Sequence, residues 1–132
     1  MNTLSRTALL IILKTSCMSP SPHYEYADGS GNRYTISTTS LEYIPVKPEE
    51  SSSGTYSGGE PGEVTLTMKQ YNALQQLFEK ALNRTEIHTE HRAMMSGLLV
   101  RTTHSESKKV ILKPGALEIE EIESALRDLL AK

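Results

Sequence analysis

The stretch TMKQYNALQQLFEKALN, residues 67–83, decides the fold class because it carries the clearest helical pattern in the chain. Thr67 is placed to cap the N-terminus, with Gln70 three residues later reaching back to it, and Asn83 is a suitable stop. The apolar residues recur at three- and four-residue spacing and share one helical face: Met68, Tyr71, Leu74, Leu77, Phe78, Ala81 and Leu82. Such a helix needs an apolar surface to pack against, which the remaining segments must supply.

The segments before this helix alternate tyrosine with polar residues, as half-buried strands do. Residues 23–26 (HYEY) and 33–36 (RYTI) flank the glycine-rich residues 28–32 (DGSGN), a pattern that predicts a β-hairpin. Residues 40–46 predict a further strand. Pro45 lacks an amide hydrogen, so it favours either an edge strand or a strand end.

The segments after the helix predict a second hairpin and a closing helix. Residues 96–102 and 108–113 read as two strands joined by a short turn, and Pro114 with Gly115 ends the second strand. The closing helix has an apolar stripe formed by Leu117, Ile119, Ile122, Leu126, Leu129 and Leu130.

The order of these elements predicts an α+β fold. A two-layer sandwich buries the apolar faces of two amphipathic helices against the apolar face of an antiparallel sheet. Two hairpins and one further strand give this sheet about five strands. Residues 23–132 are predicted to form this single domain.

A long loop interrupts the domain at residues 47–62, which are rich in serine, glycine and proline around one aromatic residue, Tyr56. Loops of this length are usually either binding loops or disordered segments, and the composition favours disorder. Tyr56 is the exception to this composition, because an aromatic side chain in such a loop packs on its own domain or on a partner.

The N-terminal end of the chain resembles a bacterial lipoprotein signal. A basic start at Arg6 and an apolar run at residues 8–13 precede the only cysteine, Cys17, although Lys14 departs from the aliphatic residue usual in a lipobox. The resemblance implies that residues 1–16 are removed, that Cys17 is lipidated, and that residues 17–22 form a Ser/Pro tether. The alternative is that the apolar run is buried in a cytoplasmic domain with Cys17 an ordinary interior thiol.

Composition narrows the function classes. The chain has 132 residues with 37% apolar content and a formal net charge of −2, and removal of residues 1–16 would make the charge −4. Such a surface gives no electrostatic reason to bind nucleic acid. A single cysteine excludes an intramolecular disulfide and a multi-cysteine zinc site. No motif calls for a cofactor.

Two groups of polar residues have the chemistry of metal ligands. Asp28, Ser30 and Asn32 alternate as in a calcium loop, but the pattern stops after them and a plain hairpin turn is favoured. Three histidines, His88, His91 and His104, could ligate zinc or copper together with Glu90. Their spacing does not indicate a metal site, and a solvent-exposed connecting segment is favoured.

The favoured hypothesis is therefore a non-enzymatic binding domain, lipid-anchored in the extracytoplasmic part of the cell envelope, with an unknown protein or small-molecule partner. Tyr56 and an exposed sheet edge near Tyr43 are the predicted partner-binding residues. The alternative is a small cytoplasmic enzyme or metal-dependent hydrolase that uses His88, His91 and His104.

Overall fold

The computed structural model describes residues 21–132, which form an α+β domain with an antiparallel sheet and two α-helices. The predicted signal segment, residues 1–16, and Cys17 lie outside the described residues. In chain order the elements are β1 (His23–Ala27), β2 (Arg33–Ile36), β3 (Ser40–Ile44), β4 (Gly62–Thr65), α1 (Met68–Asn83), β5 (His88–Thr89), β6 (Gly97–Thr102), β7 (Ser107–Leu112) and α2 (Leu117–Leu130). Both predicted hairpins are confirmed, as β1–β2 and β6–β7.

The sheet has seven strands in the order β4-β3-β2-β1-β6-β7-β5, so the prediction of about five strands was wrong. The two additional strands are β4 and β5. In β4 only Val64 is strongly apolar, so the strand looks like a continuation of the loop before it. Strand β5 has two residues and exists because His88 and Thr89 pair with the end of β7.

The predicted sheet edge near Tyr43 and Pro45 is also wrong. Strand β3 is paired on both sides, with β2 and with β4. Pro45 follows the last residue of the strand, Ile44, so its missing N–H costs no ladder hydrogen bond. The strand-end interpretation of Pro45 is the correct one.

The helices bury most of the predicted apolar stripes, although Met68 and Leu117, at the first position of each helix, are exposed. Thr67 and Gln70 form a reciprocal capping box, in which Gln70 N–H donates to Thr67 Oγ1 at 3.1 Å and Thr67 N–H donates to Gln70 Oε1 at 2.8 Å. Helix α1 ends at Asn83. It buries Leu74 and Phe78, while α2 buries Ile122 and Leu126 in the same core. Within residues 21–132, no helix is long and apolar enough to span a bilayer.

Two tyrosines of β1 tie the sheet to the helices. The Tyr24 ring lies 4.7 Å from that of Phe78, and its hydroxyl donates to Glu79 of α1 at 2.6 Å. The Tyr26 hydroxyl donates to Glu123 of α2 at 2.7 Å. Burial, reinforced by these bonds to carboxylates, raises the pKa of both tyrosines, so both remain hydrogen-bond donors at any ordinary pH. Both helices therefore cover the same face of the sheet.

The opposite face of the sheet carries no α-helix in the described part of the chain. One row of residues crosses it from β3 to β7, because the strand register places Ile44 beside Arg33, Arg33 beside Ala27, Ala27 beside Leu98, and Leu98 beside Ile111. Apart from Arg33, the row is apolar and half-buried. An antiparallel sheet commonly leaves one face to solvent, but such faces are usually polar.

Gly97 in β6 provides space for the Tyr26 hydroxyl. A Cβ at this position would lie 2.7 Å from the Tyr26 oxygen, closer than packed atoms approach. Substitution Gly97→Ala is expected to displace the tyrosine from Glu123 and to lower the free energy of unfolding by about 1–3 kcal/mol. The urea unfolding midpoint measures this change.

Gly62→Ala is the matched control, because it also substitutes a strand glycine and its Cβ would meet only Leu130 at an ordinary 3.6 Å. Its midpoint is expected to stay at the wild-type value. Equal midpoints for the two variants would contradict the space-filling argument.

Candidate functional site

A groove of about 850 Å³ opens at the end of the sheet where β1 turns into β2. Its walls are the β1–β2 turn, the loop that follows β3, and the segment between β5 and β6. Five large apolar side chains are prominently exposed in the described residues, and three of them line this groove: Tyr56, Met94 and Met95. Exposed apolar groups that converge on one concavity are typical of a binding site.

Asn32 holds two of the walls together. Its side chain is buried, its Nδ2 donates to Asp28 Oδ2 at 3.1 Å and to the Tyr56 hydroxyl at 2.9 Å, and its Oδ1 accepts from Val46 N–H at 2.9 Å. The Asn32 side chain thus links the hairpin turn to Val46, which precedes the long loop, and to Tyr56 within the loop. The sequence predicts that Tyr56 contacts its own domain or a partner. Tyr56 contacts its own domain through Asn32 and keeps 39% of its surface exposed.

Tyr43 supports the same wall from below. It is half-buried, its ring lies 5.0 Å from that of Tyr34, and its hydroxyl donates to the Gly58 carbonyl at 2.6 Å. Burial, followed by the negative charge of Asp28, raises the pKa of Tyr43, which keeps the hydroxyl protonated as a donor. The structure therefore places Tyr43 beneath the loop, away from the surface where a partner would bind.

The methionine wall is held by Arg92. Its guanidinium donates to the Ser96 hydroxyl at 2.7 Å and to the Asp28 carbonyl at 2.7 Å, so it joins the 91–96 segment to the hairpin turn. Met95 has a φ of 66°, the left-handed region that non-glycine residues rarely adopt. A Cβ at Gly29 would lie 2.7 Å from the Met95 Cα, which shows how closely the two segments approach. Met94 and Met95 nevertheless remain 85% and 70% exposed.

The groove also carries positive charge. Arg33 and Lys47 both line it, and within residues 21–132 neither forms an ion pair. Glu50 lies in the same wall, where its carboxylate accepts a hydrogen bond from Lys47 N–H at 3.1 Å. The arrangement can therefore bind an anionic group beside an apolar one.

The three predicted histidines are not brought together. His88 lies in β5 with Nε2 2.8 Å from the Ala81 carbonyl oxygen, His91 is exposed after it, and His104 is exposed in the β6–β7 turn. Residues 21–132 contain no cluster of three or more histidine, cysteine, aspartate or glutamate side chains placed to hold a metal ion. The positions of these histidines therefore give no support to a metal-dependent hydrolase.

Asp28, Ser30 and Asn32 form a turn, as the favoured interpretation predicts. The Asp28 Oδ1 atom accepts from Ser30 N–H at 2.9 Å and from Asn32 N–H at 3.0 Å. The Asp28 carboxylate, which would ligate a cation in a calcium loop, thus accepts hydrogen bonds from the backbone of its own turn.

Several groove residues were missed by the sequence reasoning. The sequence pattern places Arg33 only in a strand and Lys47 only at the start of a loop, and it gives Met94 and Met95 no role. The one signal that could have found them is the adjacent pair of methionines, because large apolar residues are unexpected among polar ones in a solvated connection.

Comparison of this chain with protein-family models, with curated proteins and with solved structures finds no match.

Replacement of Asn32 by alanine is expected to loosen the groove wall. The substitution removes the bonds to Asp28 and Tyr56 and leaves Val46 N–H without its acceptor, so the free energy of unfolding should fall by about 1–3 kcal/mol. Amide hydrogen exchange should accelerate across residues 46–58. Asn72→Ala, on the exposed face of α1, is the control and should leave both measurements unchanged. Unchanged exchange across residues 46–58 in Asn32→Ala would contradict the bridging role of this amide.

Proposed function

We propose that this chain is a non-enzymatic binding domain that captures a protein partner in the groove between Tyr56 and the two methionines. The observation that carries the proposal is the convergence of three exposed apolar side chains on one concave site. Methionine is unbranched and polarisable, so paired methionines form an adaptable contact surface for a partner.

The chemistry of the groove supports binding rather than catalysis. Its ionisable lining consists, within the described residues, of Arg33, Lys47, Glu50 and Tyr56. Hydrolysis would call for a nucleophile hydrogen-bonded to a base, or for a metal. Of the serines in the groove, Ser51 donates to the Pro48 carbonyl and Ser53 pairs with Thr55, and residues 21–132 hold no metal-ligand cluster. Cations with exposed apolar groups are instead the components of a recognition surface.

We also propose that the domain is tethered at its N-terminal end to a membrane, in an extracytoplasmic compartment, through a lipid on Cys17. The position of the groove supports this arrangement. Strand β1 runs from His23 to Ala27, so its five residues separate the start of the domain from the groove by roughly 14 Å. The Tyr71 hydroxyl donates to the Pro22 carbonyl at 2.6 Å, which fixes the chain where it enters the domain. A tether there would place the groove at the other end of β1 from the point where the chain enters the domain.

Substitution Cys17→Ala tests the tether. The wild-type protein is expected in the membrane fraction, with a mass that corresponds to an acylated chain beginning at Cys17, because lipidation needs the thiol. The variant should move to the soluble fraction, whereas Ser21→Ala, a control in the same region, should remain with membranes. An intact chain beginning at Met1 in the soluble fraction of wild-type cells would contradict lipid anchoring.

Site-specific photo-crosslinking in the native cell tests the binding function. A benzoylphenylalanine in place of Met94 should yield a discrete crosslinked adduct with another protein, because the side chain at this position lies in the proposed contact surface. The control position is Met68, which is 61% exposed on α1 and lies outside the groove. Adducts at neither position, or the same adduct at both, would contradict a partner site in the groove.

A further inference from the structure

The charge inside the groove differs in sign from that of the rest of the chain. The whole protein carries a formal charge of −2, yet the groove presents Arg33 and Lys47 against one carboxylate, that of Glu50. The Glu50 carboxylate is directed to the backbone of Lys47, where it completes the cap of the 3₁₀ turn Pro48–Glu50. The two cationic side chains are therefore available to an anion from outside.

The cations lie next to the apolar wall. Met94, Met95 and Tyr56 line the same cavity as Arg33 and Lys47, with Ile44 and Val46 completing its apolar lining. A ligand that fills the groove must therefore present an anionic group and a large apolar group in close succession. Neither a free inorganic anion nor a purely apolar ligand would use both halves of this site.

The groove continues onto the open face of the sheet. Ile44 and Arg33 belong both to the groove and to the apolar row that crosses the strands to Ile111. The row runs from β3 to β7 over four strand spacings, which amounts to roughly 19 Å. An extended chain advances about 3.3 Å per residue, so roughly six residues span this distance.

We propose, on the basis of the binding function stated above, that the occupant is an extended acidic segment of a partner protein. Its carboxylates pair with Arg33 and Lys47, and a large apolar side chain beside them packs between Met94, Met95 and Tyr56. The following residues lie along the row of Ala27, Leu98 and Ile111. Opposite charge specifies the segment, while apolar contact supplies most of the affinity.

A membrane surface is the other anionic and apolar occupant to be considered. The site is concave and walled on three sides by chain segments, whereas a bilayer presents a broad, flat surface. A side chain that enters the groove reaches the cations and the methionines together. The geometry thus favours a peptide, and anionic vesicles form one arm of the test.

The experiment measures fluorescence anisotropy of a labelled octapeptide, with aspartates flanking a leucine and a phenylalanine, against the purified full chain carrying Cys17→Ala, which has no lipid and can also be tested against vesicles. Saturable binding is expected, and a peptide with asparagine in place of aspartate should bind at least tenfold more weakly. Arg33→Gln and Lys47→Gln should each weaken the binding by about two- to fivefold, as the loss of an exposed ion pair does. Met94→Ser with Met95→Ser should weaken it further.

Lys69→Gln is the matched control, because it removes one exposed positive charge outside the groove and should leave the affinity unchanged. Circular dichroism and thermal unfolding of each variant must match the wild type. Equal affinity for the aspartate and asparagine peptides would overturn the proposal, as would an equal effect of Lys69→Gln. Binding to vesicles of phosphatidylglycerol without binding to the peptide would overturn it in favour of a lipid. Crosslinks at Met94 that persist without peptide binding would leave the binding function standing and refute only the acidic segment.

Discussion

The structure depends on the buried hydroxyl groups of Tyr24 and Tyr26. Each phenol lies beneath a helix where water cannot reach it, and an unsatisfied buried hydroxyl costs about 1–3 kcal/mol. Each helix supplies one acceptor, Glu79 from α1 and Glu123 from α2. These two bonds set where the helices lie over the sheet, because a shift of either helix along its axis would break one of them. Arg101 of β6 completes the arrangement by donating to Glu79 at 2.6 Å.

The same strand carries this constraint to the groove. Strand β1 is central in the sheet, and after Tyr24 and Tyr26 it continues into Ala27 and the turn residue Asp28. The side chain of Asp28 accepts from Asn32, which holds the loop wall, and its carbonyl accepts from Arg92, which holds the methionine wall. Both walls are thus fixed to a strand that the helices hold in place from the other face. A groove supported in this way is ordered without a ligand, which would lower the entropic cost of the proposed binding.

Local patterns could be predicted from the sequence, whereas pairings at a distance could not. The capping box of Thr67 and Gln70 and the turns of both hairpins depend on residues a few positions apart, so composition and spacing were sufficient. Strand β5 exists only because His88 meets Leu112, and nothing in its two residues indicates a strand. The groove depends on Asn32 meeting Tyr56 and Val46, and on Arg92 meeting Asp28, contacts between segments that carry no common pattern. Of the predicted binding residues, Tyr56 lines the groove, while Tyr43 lies beneath its wall.

The conformation of Met95 argues that the position of the methionines matters. A residue with a side chain in the left-handed region is less stable by roughly 1–2 kcal/mol, and glycine or asparagine would avoid most of this cost in an ordinary connection. The chain instead places methionine there, and Arg92 with its bonds to Ser96 and Asp28 offsets the strain. Because the Met95 side chain is exposed, its strained backbone conformation brings no additional packing within the domain. The proposed contact of Met94 and Met95 with a partner would offset this cost from outside the domain.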